Sequence, residues 1–176
     1  GISLGEAAGF ALLEREGPAT AWLLGYGESS DAHHMSTPHP EGRGARLALQ
    51  AALERADLAP GDIDYINLHG TASQKNDEVE AQVVASLFPA TTRASSTKGW
   101  TGHALGAAGI LESVVTFAAM KMGIAPGTLN ALELDPSCGP QIRVVNEAAD
   151  IRVALSNSFG FGGSNCSLLF GRDQDA

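Results

Sequence analysis

Between Ala104 and Met122 the chain runs through its most apolar stretch, which still carries Glu112 and several glycines. A carboxylate in mid-segment argues against a membrane span and for a long buried helix over Leu105 to Met122. Apolar residues lie nearly all round that helix, so it has to sit centrally, with structure packed on every side. That requirement selects a layered fold. It also demands a partner for Glu112, which Lys98 or a bound cation would supply.

The remaining segments read as the layers. Thr20 to Gly27 (TAWLLGYG) is a short buried strand ending in a Gly/Ser turn, and His33 to Gly44 is a loop rich in His, Pro and Gly. Ala45 to Ala56 places Leu47, Leu49, Ala52 and Leu53 beside Arg46, Glu54 and Arg55, a helix with one buried face. Pro60-Gly61 is a turn. Ile63 to Leu68 (IDYINL) alternates like a strand and delivers His69 to a loop. Asp77 to Phe88 is a helix, with Asp77 and Glu80 spaced as a capping box. Arg93 to Thr97 is extended, and Ile142 to Val145, Ile151 to Asn157 and Cys166 to Phe170 are strands. Strand–helix alternation without a linker predicts an α/β layer fold with a largely parallel sheet around a buried central helix. Right-handed crossovers then bring His69 and Ser156-Asn157 to one edge of the sheet, where ligands gather in such folds.

At 176 residues the chain is long enough for one real core; a chain of about 150 residues buries roughly 70% of its unfolded surface. A net charge of −9 with only 11 scattered basic residues speaks against nucleic acid and anionic membranes as partners, and no basic patch for any acidic partner stands out. Cys138 and Cys166 are too few for a disulfide scaffold and lack metal-ligand spacing, so a cytosolic protein with reduced thiols is expected. Gly1 to Gly9 have no signal-peptide pattern. The absence of an initiator methionine leads us to expect a piece of a longer chain.

Chemistry concentrates in three glycine-rich segments: Asn67 to Ser73 (NLHGTAS), Ser96 to His103 (STKGWTGH) and Asn157 to Asn165 (NSFGFGGSN). Each sets polar side chains among glycines just beyond an apolar element, which suits an active-site loop on a rigid scaffold. Two neutral imidazoles, His69 and His103, aimed at one point would stabilise an enolate or oxyanion; each alone reads more readily as a satisfied structural histidine. His33, His34 and His39 lack a cysteine or acidic partner at ligand spacing, and no metal site is expected there. Cys166 begins a strand rather than a helix and reads as a small packed residue, not a nucleophile. The glycines at 160, 162 and 163 follow a strand without opening a helix, a weak nucleotide signal.

Taken in order, these segments resemble the C-terminal half of β-ketoacyl-acyl-carrier-protein synthases, the thiolase-fold condensing enzymes. Gly5-Glu6-Ala7-Ala8-Gly9 is similar to the family's GEGAG stretch, with alanine for the middle glycine. The HGT at His69, the STK-x-x-x-GH ending at His103, the GAAG-x-x-E run ending at Glu112 and the NSFGFGG loop follow in family order.

The resemblance implies a thiolase-like fold, with a mixed, largely parallel sheet, and specific roles. His69 and His103 would hold the thioester carbonyl of the malonyl extender, and Lys98 would be the active-site lysine. Glu112 would belong to the buried polar network below, which in some members includes a monovalent cation near Asn67, Ser156 and Asn157. No other cofactor is implied. Thr71 would contact the phosphopantetheine arm, with Ser73 where a second threonine is common. Phe159 and Phe161 would form the gating loop, the Phe161 N–H completing an oxyanion hole. Acyl carrier protein, the N-terminal half of the enzyme and a second copy in a homodimer are the implied partners. The family's nucleophilic cysteine lies in that N-terminal half, and no segment here resembles its site, so the chain alone is expected to be inactive and to expose an apolar face. Alternatives within the resemblance are a polyketide or aryl-polyene ketosynthase, a decarboxylating homologue, and a non-catalytic partner akin to a chain-length factor. Loss of the histidines is common in such partners, and both are present here.

Overall fold

A computed structural model describes residues 1–173 of the chain. Its centre is a five-stranded sheet in the order β1-β7-β6-β2-β3, formed by Trp22–Ser30 (β1), Tyr65–Asn67 (β2), Arg93–Ser95 (β3), Val153–Phe159 (β6) and Ser164–Gly171 (β7). The β2–β3 and β2–β6 pairs are parallel, and β7 runs antiparallel to both β6 and β1. Four strands therefore share one direction and β7 alone opposes them, the mixed, largely parallel sheet expected. A second, two-stranded ribbon pairs Ile124–Ala125 (β4) with Glu147–Ala148 (β5).

Strand alternation sorts the sheet into two faces. On one, Ile66, Val153, Leu155 and Leu169 pack with Leu49, Ala52 and Leu53 of Arg43–Ala56 (α1), with Val83 and Val84 of Gln74–Leu87 (α2) and with Phe88, which caps α2. On the other, Tyr65, Ala154 and Phe170 pack with Ala119 and Met120 of Ala108–Met122 (α4). A short helix, Lys98–Thr101 (α3), and a 3-10 turn at Leu105–Ala107 lead into α4.

Several local expectations change. The first strand does not turn at Gly27 but continues to Ser30. Its glycines serve packing instead: a Cβ on Gly27 would overlap the Ala48 carbonyl, and one on Gly25 the Ala52 carbonyl, so α1 seats directly on the β1 backbone. Helix α2 begins one turn before Asp77, with Ser73 as N-cap, and Asp77 and Glu80 form no capping box. Ile142 to Val145 is not a strand; Ile142 makes one isolated bridge to Ala94 before the chain turns away.

Helix α4 inverts the usual rule. The stripe it buries holds Glu112, Ser113 and Thr116, while Val114 and Met122 are exposed. Leu105–Met122 is long and apolar enough to cross a bilayer by length and composition, yet its buried charge is engaged by Lys98. One stripe of α4 meets the sheet and its apolar opposite side stays open.

Candidate active site

Strand β2 is three residues long and ends where the chemistry begins. Asn67 lies opposite Ser156 on β6 and opposite Ser95 on β3. His69, two residues on, is buried at the carboxyl end of the sheet. Its backbone is held from outside the strand: Glu80 Oε1 accepts the His69 N–H at 2.9 Å and Oε2 the Gly70 N–H at 2.8 Å. Asp77, from the same helix, accepts from the N–H groups of Thr71 and Ala72. Both carboxylates brace the His-Gly-Thr-Ala turn, in which Ala72 takes a positive φ of 62°.

The sequence signal for Glu80 is periodicity alone: it falls on the buried face of its helix, with Val83 and Val84 at i+3 and i+4.

His103 enters through Gly102, whose φ of 71° and ψ of 169° suit glycine alone. Its Nδ1 accepts the Leu105 N–H at 3.2 Å, so the ring's own proton resides on Nε2. The two imidazoles meet edge to face, with centroids 5.6 Å apart and planes at 85°. Phe159 closes on His69 from β6 at 5.8 Å.

Burial first, then the positive charge of Lys98 and the His103 ring, push the His69 pKa down to about 3. Burial and Lys98 lower that of His103 as well. Both rings are neutral N–H donors at physiological pH.

Lys98 is no surface lysine. Only 7% exposed, it donates to the His69 carbonyl at 2.5 Å and forms an ion pair with Glu112 Oε1. Burial lifts the Glu112 pKa to about 7, against the pull of Lys98. The Glu112 Oε2 atom is buried without a partner.

The two asparagines serve opposite faces. Asn67 Nδ2 donates to the Glu112 carbonyl at 3.2 Å, and Thr97 Oγ1 donates to Asn67 Oδ1 at 3.3 Å, both on the α4 side. Asn157 Nδ2 donates to Glu80 Oε1 at 3.2 Å, on the α2 side, and Ser167 Oγ to Asn157 Oδ1 at 2.9 Å. Ser156 is buried beside Asn67 on the α4 face. The sheet is thus a wall with Lys98–Glu112 on one side and Glu80 on the other, and His69 at its rim.

Thr71 and Ser73 share a hydroxyl–hydroxyl hydrogen bond of 2.9 Å. Thr71 also lines a cavity of about 460 Å³ with Gly70, Ser96, Lys98, His103 and Cys138. Phe161 stands away from the rings, 83% exposed, on a turn where Gly162 and Gly163 both have φ near +84°. The turn is tied to the histidine-rich loop by Gly162 N–H donating to the Met35 carbonyl at 2.7 Å. In that loop the His33 and His39 rings lie 5.1 Å apart, and His34 and His39 each accept a loop N–H at Nδ1. Among the described residues no cluster of three or more His, Cys, Asp or Glu could hold a metal ion.

Comparison with known proteins agrees with this arrangement. Residues 20–132 match the family described as "Beta-ketoacyl synthase, C-terminal domain". The mitochondrial 3-oxoacyl-[acyl-carrier-protein] synthase of Arabidopsis thaliana is 42% identical over 184 aligned positions, covering 97% of this chain and 40% of that protein. The corresponding synthase 2 of Staphylococcus aureus (strain COL) is 38% identical, covering 97% and 44%. Among solved structures, a ketosynthase in complex with its chain length factor from Xenorhabdus doucetiae superposes with a TM-score of 0.83 at 42% identity, over 88% of this chain and 40% of that one. A β-ketoacyl synthase from Burkholderia phymatum STM815 gives 0.82 at 40% identity, over 88% and 38%. The chain spans less than half the length of these relatives. With its order of motifs, its sheet and its paired histidines, the chain belongs to the β-ketoacyl synthase family, as that family's C-terminal domain.

Proposed function

We propose that these 176 residues are the C-terminal half of a 3-oxoacyl-[acyl-carrier-protein] synthase, joining an acyl thioester to malonyl-acyl carrier protein with loss of carbon dioxide. The observation that carries this is the pair of neutral imidazoles, 5.6 Å apart, over the buried Lys98–Glu112 pair. When the malonyl group loses carbon dioxide, the C–C bonding pair forms an enolate and negative charge collects on the thioester oxygen. An N–H from His69 and one from His103 stabilise it without giving up their protons. The enolate then re-forms its carbonyl while its carbon attacks the acyl group carried on cysteine, and thiolate leaves. That cysteine belongs to the half of the fold outside this chain, so the chain alone is inactive.

Lys98 holds a positive charge beneath the site and fixes the His69 carbonyl. A monovalent cation fits the same network through Glu112 Oε2, the unpartnered acceptor, and Asn67; it would balance charge below the histidines. The side chain of Asn157 is already engaged on the other face. Thr71 and Ser73 would hold the pantetheine arm, and Phe159 and Phe161 would gate the extender.

The open face of α4 receives the N-terminal half of the same enzyme, in support of which stand its exposed Val114 and Met122 and the extra length of the relatives. A cytosolic setting accords with the two free thiols; a homodimer rests on the resemblance. A second reading, a polyketide or aryl-polyene ketosynthase, is favoured by the similarity to a ketosynthase that works with a chain length factor.

The test is His103→Ala in the complete enzyme. Carbon dioxide release from malonyl carrier protein should fall about 100- to 1,000-fold, while acylation of the cysteine persists. Equal loss of both half-reactions overturns the assignment.

A further inference from the structure

His103 is gripped by a segment far from it in sequence. Leu4 lies opposite His103 in a parallel bridge, the His103 N–H donates to the Ser3 carbonyl at 2.8 Å, and the Gly5 N–H donates to the His103 carbonyl at 3.1 Å. Both backbone groups of the second histidine are therefore held by residues 3–5. The approach is backbone to backbone. A Cβ on Gly5 would overlap the Thr101 carbonyl and lie 3.1 Å from Gly102 Cα; a Cβ on Gly102 would lie 2.7 Å from Gly5 N. Real Cβ atoms do not make contacts as short as those to the Thr101 carbonyl and Gly5 N, and the atoms met are backbone with little freedom to retreat. Gly5 has no left-handed φ to explain its identity. Space alone requires glycine there.

We propose that Gly5 is a positioning residue for malonyl decarboxylation, acting only through His103. The inference rests on the function proposed above. The Leu105 N–H sets the ring's tautomer through Nδ1, whereas residues 3–5 set where the ring's Cα stands. A side chain on Gly5 lifts the clamp from the turn, breaks two hydrogen bonds and moves Nε2 off the enolate oxygen. Misplacement of a catalytic group by about 1 Å costs on the order of 100-fold in rate.

The experiment uses the full-length enzyme. Gly5→Ala should lower kcat for carbon dioxide release about 100-fold with little change in KM, while acylation of the cysteine stays at the parent rate. In a His103→Ala background the same substitution should cost nothing further, because its effect has lost its mediator. Gly9→Ala is the control: its Cβ would crowd the Ile110 side chain at 2.7 Å, in the same segment but away from His103. It should lower stability without separating the two half-reactions. Equal loss of both half-reactions in Gly5→Ala, or a full loss in the His103→Ala background, overturns the proposal. Should Gly5→Ala not fold, amide exchange in the parent decides: the Gly5 and His103 amides should exchange as slowly as those of β2, and rapid exchange of both refutes the clamp. A parent enzyme that releases no carbon dioxide from malonyl carrier protein would instead strike at the proposed function.

Discussion

Glu80 Oε1 receives the His69 N–H at 2.9 Å from eleven residues farther along the chain, so a helix behind the sheet holds the loop in front of it. Its second oxygen serves Gly70, and Asn157 reaches Oε1 from β6. Glu80→Gln puts an amide NH2 where one of two N–H donors needs an acceptor. A buried donor left unsatisfied costs about 1–3 kcal/mol, and His69 loses its anchor. In the complete enzyme, carbon dioxide release should fall about 10- to 100-fold, more than cysteine acylation, with a lowered denaturant midpoint. Unchanged release in a destabilised variant would make Glu80 a packing residue only.

Phe161 should control when the extender reaches the acylated cysteine. Its ring is exposed, and the glycines on either side let the turn change φ and ψ at little cost. Phe161→Ala should keep the fold and accept acyl groups, yet decarboxylate malonyl carrier protein before the cysteine is loaded. The ratio of carbon dioxide released to ketoacyl product formed is the measurement. An unchanged ratio with a lowered melting temperature would return Phe161 to a structural role.

The stability of the fold should depend on pH through His69. Its pKa is about 3 folded against 6.5 in the unfolded chain, so the unfolded state binds the extra proton between those values. Stability from this group is complete above pH 6.5 and is lost as pH falls toward 3. Glu112, raised from 4.5 to about 7, acts in the opposite sense and adds stability as pH falls through 7 toward 4.5. Unfolding free energies of parent and His69→Gln from urea titrations should therefore converge or cross on going from pH 7.5 to 4.5, by on the order of 2 kcal/mol. A pH-independent difference would show that His69 is not held neutral by its surroundings. Glu112→Gln should steepen the acid loss.

Prepared alone, the chain should bind a hydrophobic dye or self-associate, because Val114 and Met122 on α4 are exposed together with Phe10, Leu12 and Leu13. A monodisperse monomer without dye binding would show that this face needs no cover. Adding the separately expressed N-terminal half should suppress the dye signal.

The sequence carried what depends on neighbours along the chain. His69, Lys98 and His103 were legible because glycine-rich loops advertise them, and Glu112 because a carboxylate in an apolar helix demands a partner. Contacts that cross the fold were not legible. Glu80 looked like half of a capping box, since spacing of three residues cannot tell a cap from a brace for another loop. Gly5 matched a family stretch, but its closeness to Gly102 exists only once residues 3–5 are laid beside the histidine. Ile142 to Val145 is rich in β-branched residues as a strand is, yet Val145 is exposed and only Ile142 finds an edge to pair with.

Pairing Asn67 with Ser156 has a consequence for how change can enter this protein. Side chains on a strand alternate, so sliding β2 past β6 by one residue would turn Asn67 toward α2 and face an apolar residue to Glu112. A single insertion or deletion just before Tyr65 would therefore exchange the two layers' wiring even if every residue of the candidate site remained in the chain. Strand β2 acts like the teeth of a key, and drift in length is tolerable in the loops around it but not at its entrance.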